Sequence, residues 1–169
     1  MKKYEEFINA LQYVDQGDNK SAYDKLTELI NDNLELENKT LYYDALYARA
    51  SLDIANLNLH IDDSIEDLKI LIANRTRYVK ESYSLATLVY DHLEMPDEVI
   101  EYGTEALELD APFTSEIAYA LAKAYASRGT KSSYLEALKY IDTCIDNADA
   151  SQLHKVTDII GRTAYKSNI

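Results

Sequence analysis

Apolar residues recur at three-and-four spacing along almost the whole chain, and no stretch sustains the period-two alternation of a half-buried strand. The pattern predicts an all-α protein. Phe7, Ile8, Leu11 and Val14 mark a first helix that Gly17-Asp18-Asn19 interrupts, and Ala22, Leu26, Leu29 and Ile30 mark a second. Two short helices joined by a tight turn make a hairpin. The polar stretch 31–40 reads as a connection. It leads into a long helix carrying Leu41, Ala45, Ala48, Leu52 and Ala55, then another from Asp62 or Asp63 through Ile65, Leu68 and Leu71. There Asp63-Ser64-Ile65-Glu66 fits a capping box, whose two side chains satisfy free N–H groups of the first turn. A third pair is expected over about 79–92 and 96–109. Pro96 suits a first helical turn, and Pro112 stops continuation. A fourth pair covers about 114–127 and 133–147, with Ser133-Tyr134-Leu135-Glu136 as a second candidate capping box. Leu153, Val156, Ile160 and Ala164 share one stripe, which predicts a closing helix over 150–167.

The hairpins read as copies of one another. First helices align through Ala10, Leu52, Thr87 and Ala122, at intervals of 42, 35 and 35 residues; second helices align through Ala22, Ser64, Val99 and Ala137, at 42, 35 and 38. The surplus residues fall in the connections 31–40 and 128–132, where insertions leave a packed unit intact. The third unit carries Tyr83, Ala86, Tyr90 and the run Glu105-Ala106-Leu107-Glu108-Leu109-Asp110-Ala111-Pro112. The fourth carries Leu121, Ala122, Tyr125, Gly129, Ala137, Ile141 and Cys144. Ala10, Tyr13, Gly17, Ala22 and Leu26 take the matching sites in the first unit. Leu52, Ala55, Ser64, Leu68 and Leu71 take them in the second, which has no Gly at its turn. Over residues 4–150 this helix–turn–helix period resembles the tetratricopeptide repeat family.

That resemblance implies a single domain over 1–169, with repeat units of about 3–37, 38–75, 76–111 and 112–149 and the closing helix as a cap. The hairpins would stack into a short right-handed superhelix with a concave inner surface lined by first helices. By register, the groove positions are Tyr4, Phe7, Leu11 and Val14 in the first unit and Arg49 and Asp53 in the second. Glu81, Leu88 and Asp91 follow in the third, and Glu116, Tyr119 and Lys123 in the fourth. Some members of the family grip a terminal carboxylate with Lys, Asn and Arg. Here Phe7, Leu11, Glu81 and Leu85 stand at those positions, so the resemblance does not extend to that clamp.

Composition narrows the partners. Of 169 residues 47% are apolar and 28% charged, which suits a chain with a real core. Thirty acidic against seventeen basic side chains give −13, a field that repels phosphate backbones and anionic lipid; neither nucleic acid nor a membrane is an expected partner. Segment 76–111 alone carries −7, whereas 150–169 is the one basic stretch. Glu5 and Glu6 follow Lys2 and Lys3 where the apolar part of a secretory signal would begin, and one Cys forms no internal disulfide. A cytoplasmic setting is expected.

Candidate chemistry is sparse. Cys144 falls where the repeat calls for a small buried residue, and His60 with Asp62 and Asp63 sits at a helix start where carboxylates already serve as caps. No phosphate-binding glycine loop, nucleophile elbow or dinucleotide fingerprint is present, so no catalytic residue, metal or cofactor is expected. Tyr13, Tyr83, Tyr90 and Tyr125, four of fifteen tyrosines, occupy sites that hold helices together. Gly103 interrupts a helix where the family prefers an aromatic; either another chain approaches there or, as favoured, a neighbouring Tyr is expected to fill the space. Asp97, Glu101, Glu105 and Glu108 form an acidic stripe expected to face water.

These readings converge on a non-catalytic scaffold that binds a peptide or protein segment. The segment would carry an apolar anchor for Phe7, Leu11 and Val14 and basic residues for Asp53, Glu81, Asp91 and Glu116. Two alternatives are a peptide-sensing regulatory module acting through another protein, and a homodimer in which Tyr4, Phe7, Leu11 and Val14 pack on a second copy.

Overall fold

In a computed structural model, residues 2–32 and 34–147 are described, and the apolar periodicity resolves there into helices alone, with no strand. The elements are α1 (Lys2–Asp15), α2 (Asn19–Asn31), α3 (Leu34–Glu37), α4 (Lys39–Leu52), α5 (Ile61–Ala73), α6 (Val79–His92), α7 (Pro96–Glu108), α8 (Thr114–Ser127) and α9 (Lys131–Asn147). The expected closing helix 150–167 lies outside the described residues. No described helix is long and apolar enough to cross a membrane.

One backbone device closes four of these helices. After α1, the Gly17 N–H donates to the Val14 carbonyl and the Asp18 N–H to that of Tyr13, both at 2.9 Å. The same two bonds recur at Arg75 and Thr76, at Glu94 and Met95, and at Asp110 and Ala111. This is the Schellman closure, and it needs one residue in the left-handed region. Gly17 takes it at φ 77°, but Arg75, Glu94 and Asp110 take it at 47°, 58° and 58°. Four glycines in the chain therefore suffice, because three helix ends accept the strain of a side chain there.

The described residues divide after Ser82 into two compact units. In the first, Phe7 and Ala10 of α1 pack with Ala22, Leu26 and Leu29 of α2 and with Leu41, Ala45 and Leu52 of α4. The connection expected over 31–40 is partly structured: α3 turns the fully buried Leu34 into this core, and the Asn38 side chain accepts the Leu41 N–H at 3.1 Å to cap α4. Tyr47 stacks on Tyr78 with centroids 4.2 Å apart, while Tyr78 Oη and Arg77 Nη2 both donate to Asp44.

Beyond Leu52 the helix widens into one π-type turn, Asp53–Leu57, which Asn58 ends in the left-handed region at φ 50°. This turn explains why the capping box expected at Asp63–Glu66 does not form. The helix starts earlier, at Ile61, and its cap comes from the preceding element. Asp53 accepts the N–H groups of Leu59 and His60 at 3.2 Å and the Ser64 hydroxyl at 3.0 Å. A carboxylate at a helix N-terminus meets both unpaired donors and the positive end of the dipole.

In the second unit Gly103 is a packing residue. A Cβ built on it would lie 3.1 Å from Leu121 Cδ2 on α8 and 3.1 Å from Thr87 Cγ2 on α6, so Leu121 and Thr87 fill the space that a tyrosine was expected to fill. Tyr83 and Tyr90 lean instead on Tyr102, with centroids 5.9 and 5.1 Å apart, and Tyr125 stacks on Tyr140 at 5.6 Å. Ala106, Ala111, Ile117 and Leu121 form one core cluster, and Ala118, Ala122, Ile141 and Cys144 another. Cys144 is the small buried residue the repeat register called for. The capping box of α9 is real but sits three residues earlier than expected. Thr130 Oγ1 accepts the Ser133 N–H at 3.1 Å while Ser133 Oγ accepts the Thr130 N–H at 3.0 Å. Ser133 therefore serves at the third helical position, and α9 begins at Lys131.

Candidate functional site

The positions assigned to a groove meet different fates. In the first unit, most are already spent on the fold. Phe7 is only 9% exposed, and Leu11 and Val14 pack against the same core, because α1 has few other apolar residues with which to hold α2 and α4. Tyr4 stays open at 58% exposure. The apolar anchor site expected on Phe7, Leu11 and Val14 is thus core.

Arg49 and Asp53 are likewise turned inward. Asp53 is fully buried as the cap of α5, so its carboxylate faces no partner. Arg49 forms a two-pronged pair with Asp67, Nε to Oδ2 at 2.8 Å and Nη2 to Oδ1 at 2.7 Å, while Nη1 donates to Thr27 Oγ1 at 3.2 Å. The guanidinium carbon lies 5.9 Å from the Tyr23 ring. Tyr23 in turn stacks on His60 at 4.2 Å and donates to Asp63 at 3.1 Å. Burial opposes the charge on Arg49, but hydrogen bonds and attraction from Asp67 outweigh it and hold its pKa above the ordinary value. Burial pushes the Asp67 carboxyl up against the pull of Arg49. It raises the Tyr23 phenol too, with Arg49 opposing. His60 and Asp63 thus join this network through Tyr23 while Asp62 is exposed, and no cluster of three metal-ligating side chains occurs among the described residues. Glu81 is half-buried, and its Oε2 has no hydrogen-bond partner.

In the second unit the assigned positions come together. Asp91, near the end of α6, and Lys123, on α8, form an ion pair of 2.7 Å. They flank a cavity of about 360 Å³, closed by Glu94, Met95, Pro96 and Val99 at the α6–α7 turn and by Ala124 and Ser127 of α8. The Schellman closure at Glu94 and Met95 shapes its mouth. Pro96 then fixes the first turn of α7, which carries Val99 to the cavity floor. The floor is apolar, with Val99 and Ala124 buried, and the rim carries two carboxylates and one ammonium. Leu88 is half-buried one turn before Asp91, and Glu116 is half-buried on α8. Tyr119 packs on the Ala118–Cys144 cluster and is partly core. The register named Asp91 and Lys123 but not Glu94, Met95, Pro96 and Val99, which line the same cavity from the turn and second helix rather than the first helices. An exposed Met beside a helix-starting Pro was the available signal.

A larger cleft, about 660 Å³, lies on α1 and α2 in the first unit. Glu6, Asn9, Gln12, Gln16, Lys25, Glu28 and Asp32 make it polar, and ion pairs of Lys3 with Glu6 and Asp32 and of Lys25 with Glu28 balance its carboxylates. The stripe Asp97, Glu101, Glu105 and Glu108 is exposed along α7, and Asp97 pairs with Arg128 at 2.5 Å. No family model, curated protein or solved structure matches the chain.

Proposed function

We propose that this chain is a non-catalytic protein-binding scaffold built from tetratricopeptide-like hairpins, and that it works in the cytoplasm on a protein segment. The observation that carries this reading is the Asp91–Lys123 pair, which joins the first helices of the third and fourth hairpins side by side next to an apolar-floored cavity. The two residues are 32 positions apart, close to one repeat. The repeated Schellman closures and the stacked Tyr47–Tyr78 pair, also about one repeat apart, support the same periodicity. A site of this size, with few polar groups converging on an apolar floor, suits side chains of a bound segment.

The test is selection of phage-displayed random peptides on the wild-type chain, repeated on Ser127→Phe, an exposed position lining the cavity where a larger side chain blocks the space without touching the core. The expected result is an enriched motif that the variant loses. No enrichment, or an identical motif on the variant, overturns the reading. A second reading, self-association, is favoured by Tyr4 and Ile8, which are exposed one turn apart on α1. Light scattering over a dilution series decides it: a concentration-dependent dimer that Tyr4→Ser abolishes supports self-association, and a constant monomer mass removes it.

A further inference from the structure

We infer that the α6–α8 cavity accepts a Leu or Met side chain of the bound segment, with an adjacent Arg or Lys engaging Asp91 and Glu94 on the rim. The inference rests on the scaffold reading and names the chemistry of its partner. Size comes first. At about 360 Å³ the space lies near the lower limit for ligand cavities, room for one or two side chains rather than a cofactor. The floor comes next: Met95, Pro96, Val99 and Ala124 offer aliphatic and thioether surface and no aromatic ring. Met95 is partly exposed and unbranched, so it can reshape around a flexible aliphatic guest.

Charge sets the flank. Asp91 and Glu94 outnumber Lys123, so an anionic neighbour would meet a net negative rim, whereas a cation meets an attractive one. Lys123 already engages Asp91 at 2.7 Å, and its side chain is about half exposed. It can swing into water when a guest cation arrives. A guanidinium gains most, because its planar fork can bridge two carboxylates where an ammonium offers a point charge. Glu94 sits at φ 58°, which the Schellman bonds hold in place, so its backbone is fixed before any ligand binds. The larger cleft on α1 and α2 is lined mostly by polar side chains and so lacks a comparable apolar floor.

The probes are three blocked dipeptides, N-acetyl-Leu-Arg-amide, N-acetyl-Leu-Glu-amide and N-acetyl-Ser-Arg-amide, titrated into the full chain labelled with ¹⁵N. The expected result is saturable shifts of the Met95, Val99 and Ala124 amides, with Leu-Arg binding about tenfold more tightly than either other peptide. Glu94→Lys should remove the advantage of Leu-Arg over Leu-Glu. Ser127→Phe, at an exposed position on the rim, should abolish the shifts, with far-UV circular dichroism confirming that both variants fold. Equal affinities for the three dipeptides, no saturable shift at the cavity, or shifts unchanged by Ser127→Phe overturn the inference. If the peptide selection still yields a motif that Ser127→Phe loses, the scaffold reading stands while this inference fails; if it yields none, both fail.

Discussion

Replacing Arg49 with Met tests how the first unit is held together. The Arg49–Asp67 pair is almost sealed from water, with 10% of the arginine side chain and 3% of the aspartate exposed. Met keeps most of the aliphatic stem but removes both prongs on Asp67 and the bond to Thr27. A buried carboxylate without its partner costs about 3–5 kcal/mol. With a urea m-value of ~2 kcal/mol/M, that lowers the midpoint by about 2 M. The double variant Arg49→Met, Asp67→Leu removes both charges and should recover most of the loss, since apolar replacement of a buried pair is often neutral. The assay is urea unfolding followed by circular dichroism, with hydrogen exchange on α4 and α5 to locate the effect. The pH dependence carries a sign. In the single variant nothing opposes the burial that already raises the Asp67 pKa, so the folded state takes up a proton more readily than the unfolded chain. The penalty is therefore full at neutral pH and shrinks as pH falls through the raised folded-state pKa. A single variant within ~1 kcal/mol of wild type would refute a buried, necessary pair. A double variant as unstable as the single would show that lost packing, rather than a stranded charge, is the cost.

Two further outcomes follow from the backbone. Gly103→Ala gains about 1 kcal/mol of helix propensity, but its methyl would press on the buried side chains of Leu121 and Thr87 on two different helices, and overpacking costs roughly 1–3 kcal/mol. The expected result is a lower melting temperature; a rise would mean that these neighbours can yield. Arg75→Gly relieves a left-handed residue at the end of α5. The steric relief of about 1–2 kcal/mol exceeds the added flexibility of the unfolded chain, so stability should rise by roughly 0.5–1 kcal/mol in the same urea assay.

The second unit stores its candidate site where local rules are strained. Glu94 occupies a left-handed position that Gly would hold without cost, beside an exposed Met and next to the cavity mouth. Arg75 and Asp110 hold the same conformation at their own helix ends, so the strain belongs to the closure itself. Phe113, at φ 67° and half exposed, breaks the same rule at the start of α8, where no side chain caps the helix.

Helix content and most helix limits were legible in the sequence, because three-and-four periodicity, Pro96 and Gly17 are local signals that neighbouring residues read alone. α6 and α8 have the ends expected, Val79–His92 and Thr114–Ser127. The box expected at Asp63 does not form and the one expected at Ser133 lies three residues earlier, since a cap depends on which group another segment brings near. A π-type turn brings Asp53 to α5, and Thr130 reaches Ser133 first. The groove assignment shows the same limit. Repeat register assigned Asp91 and Lys123 to a groove, and the fold brings the two side chains together, but periodicity cannot say whether an apolar or charged position on a first helix faces a groove or the next hairpin. Phe7, Arg49 and Asp53 were claimed by the interior because their hairpins had few other groups to fill the core, balance Asp67 and cap α5. Local pattern therefore determined the elements of this protein. Competition among packed neighbours for each side chain decided which residues remained for a partner.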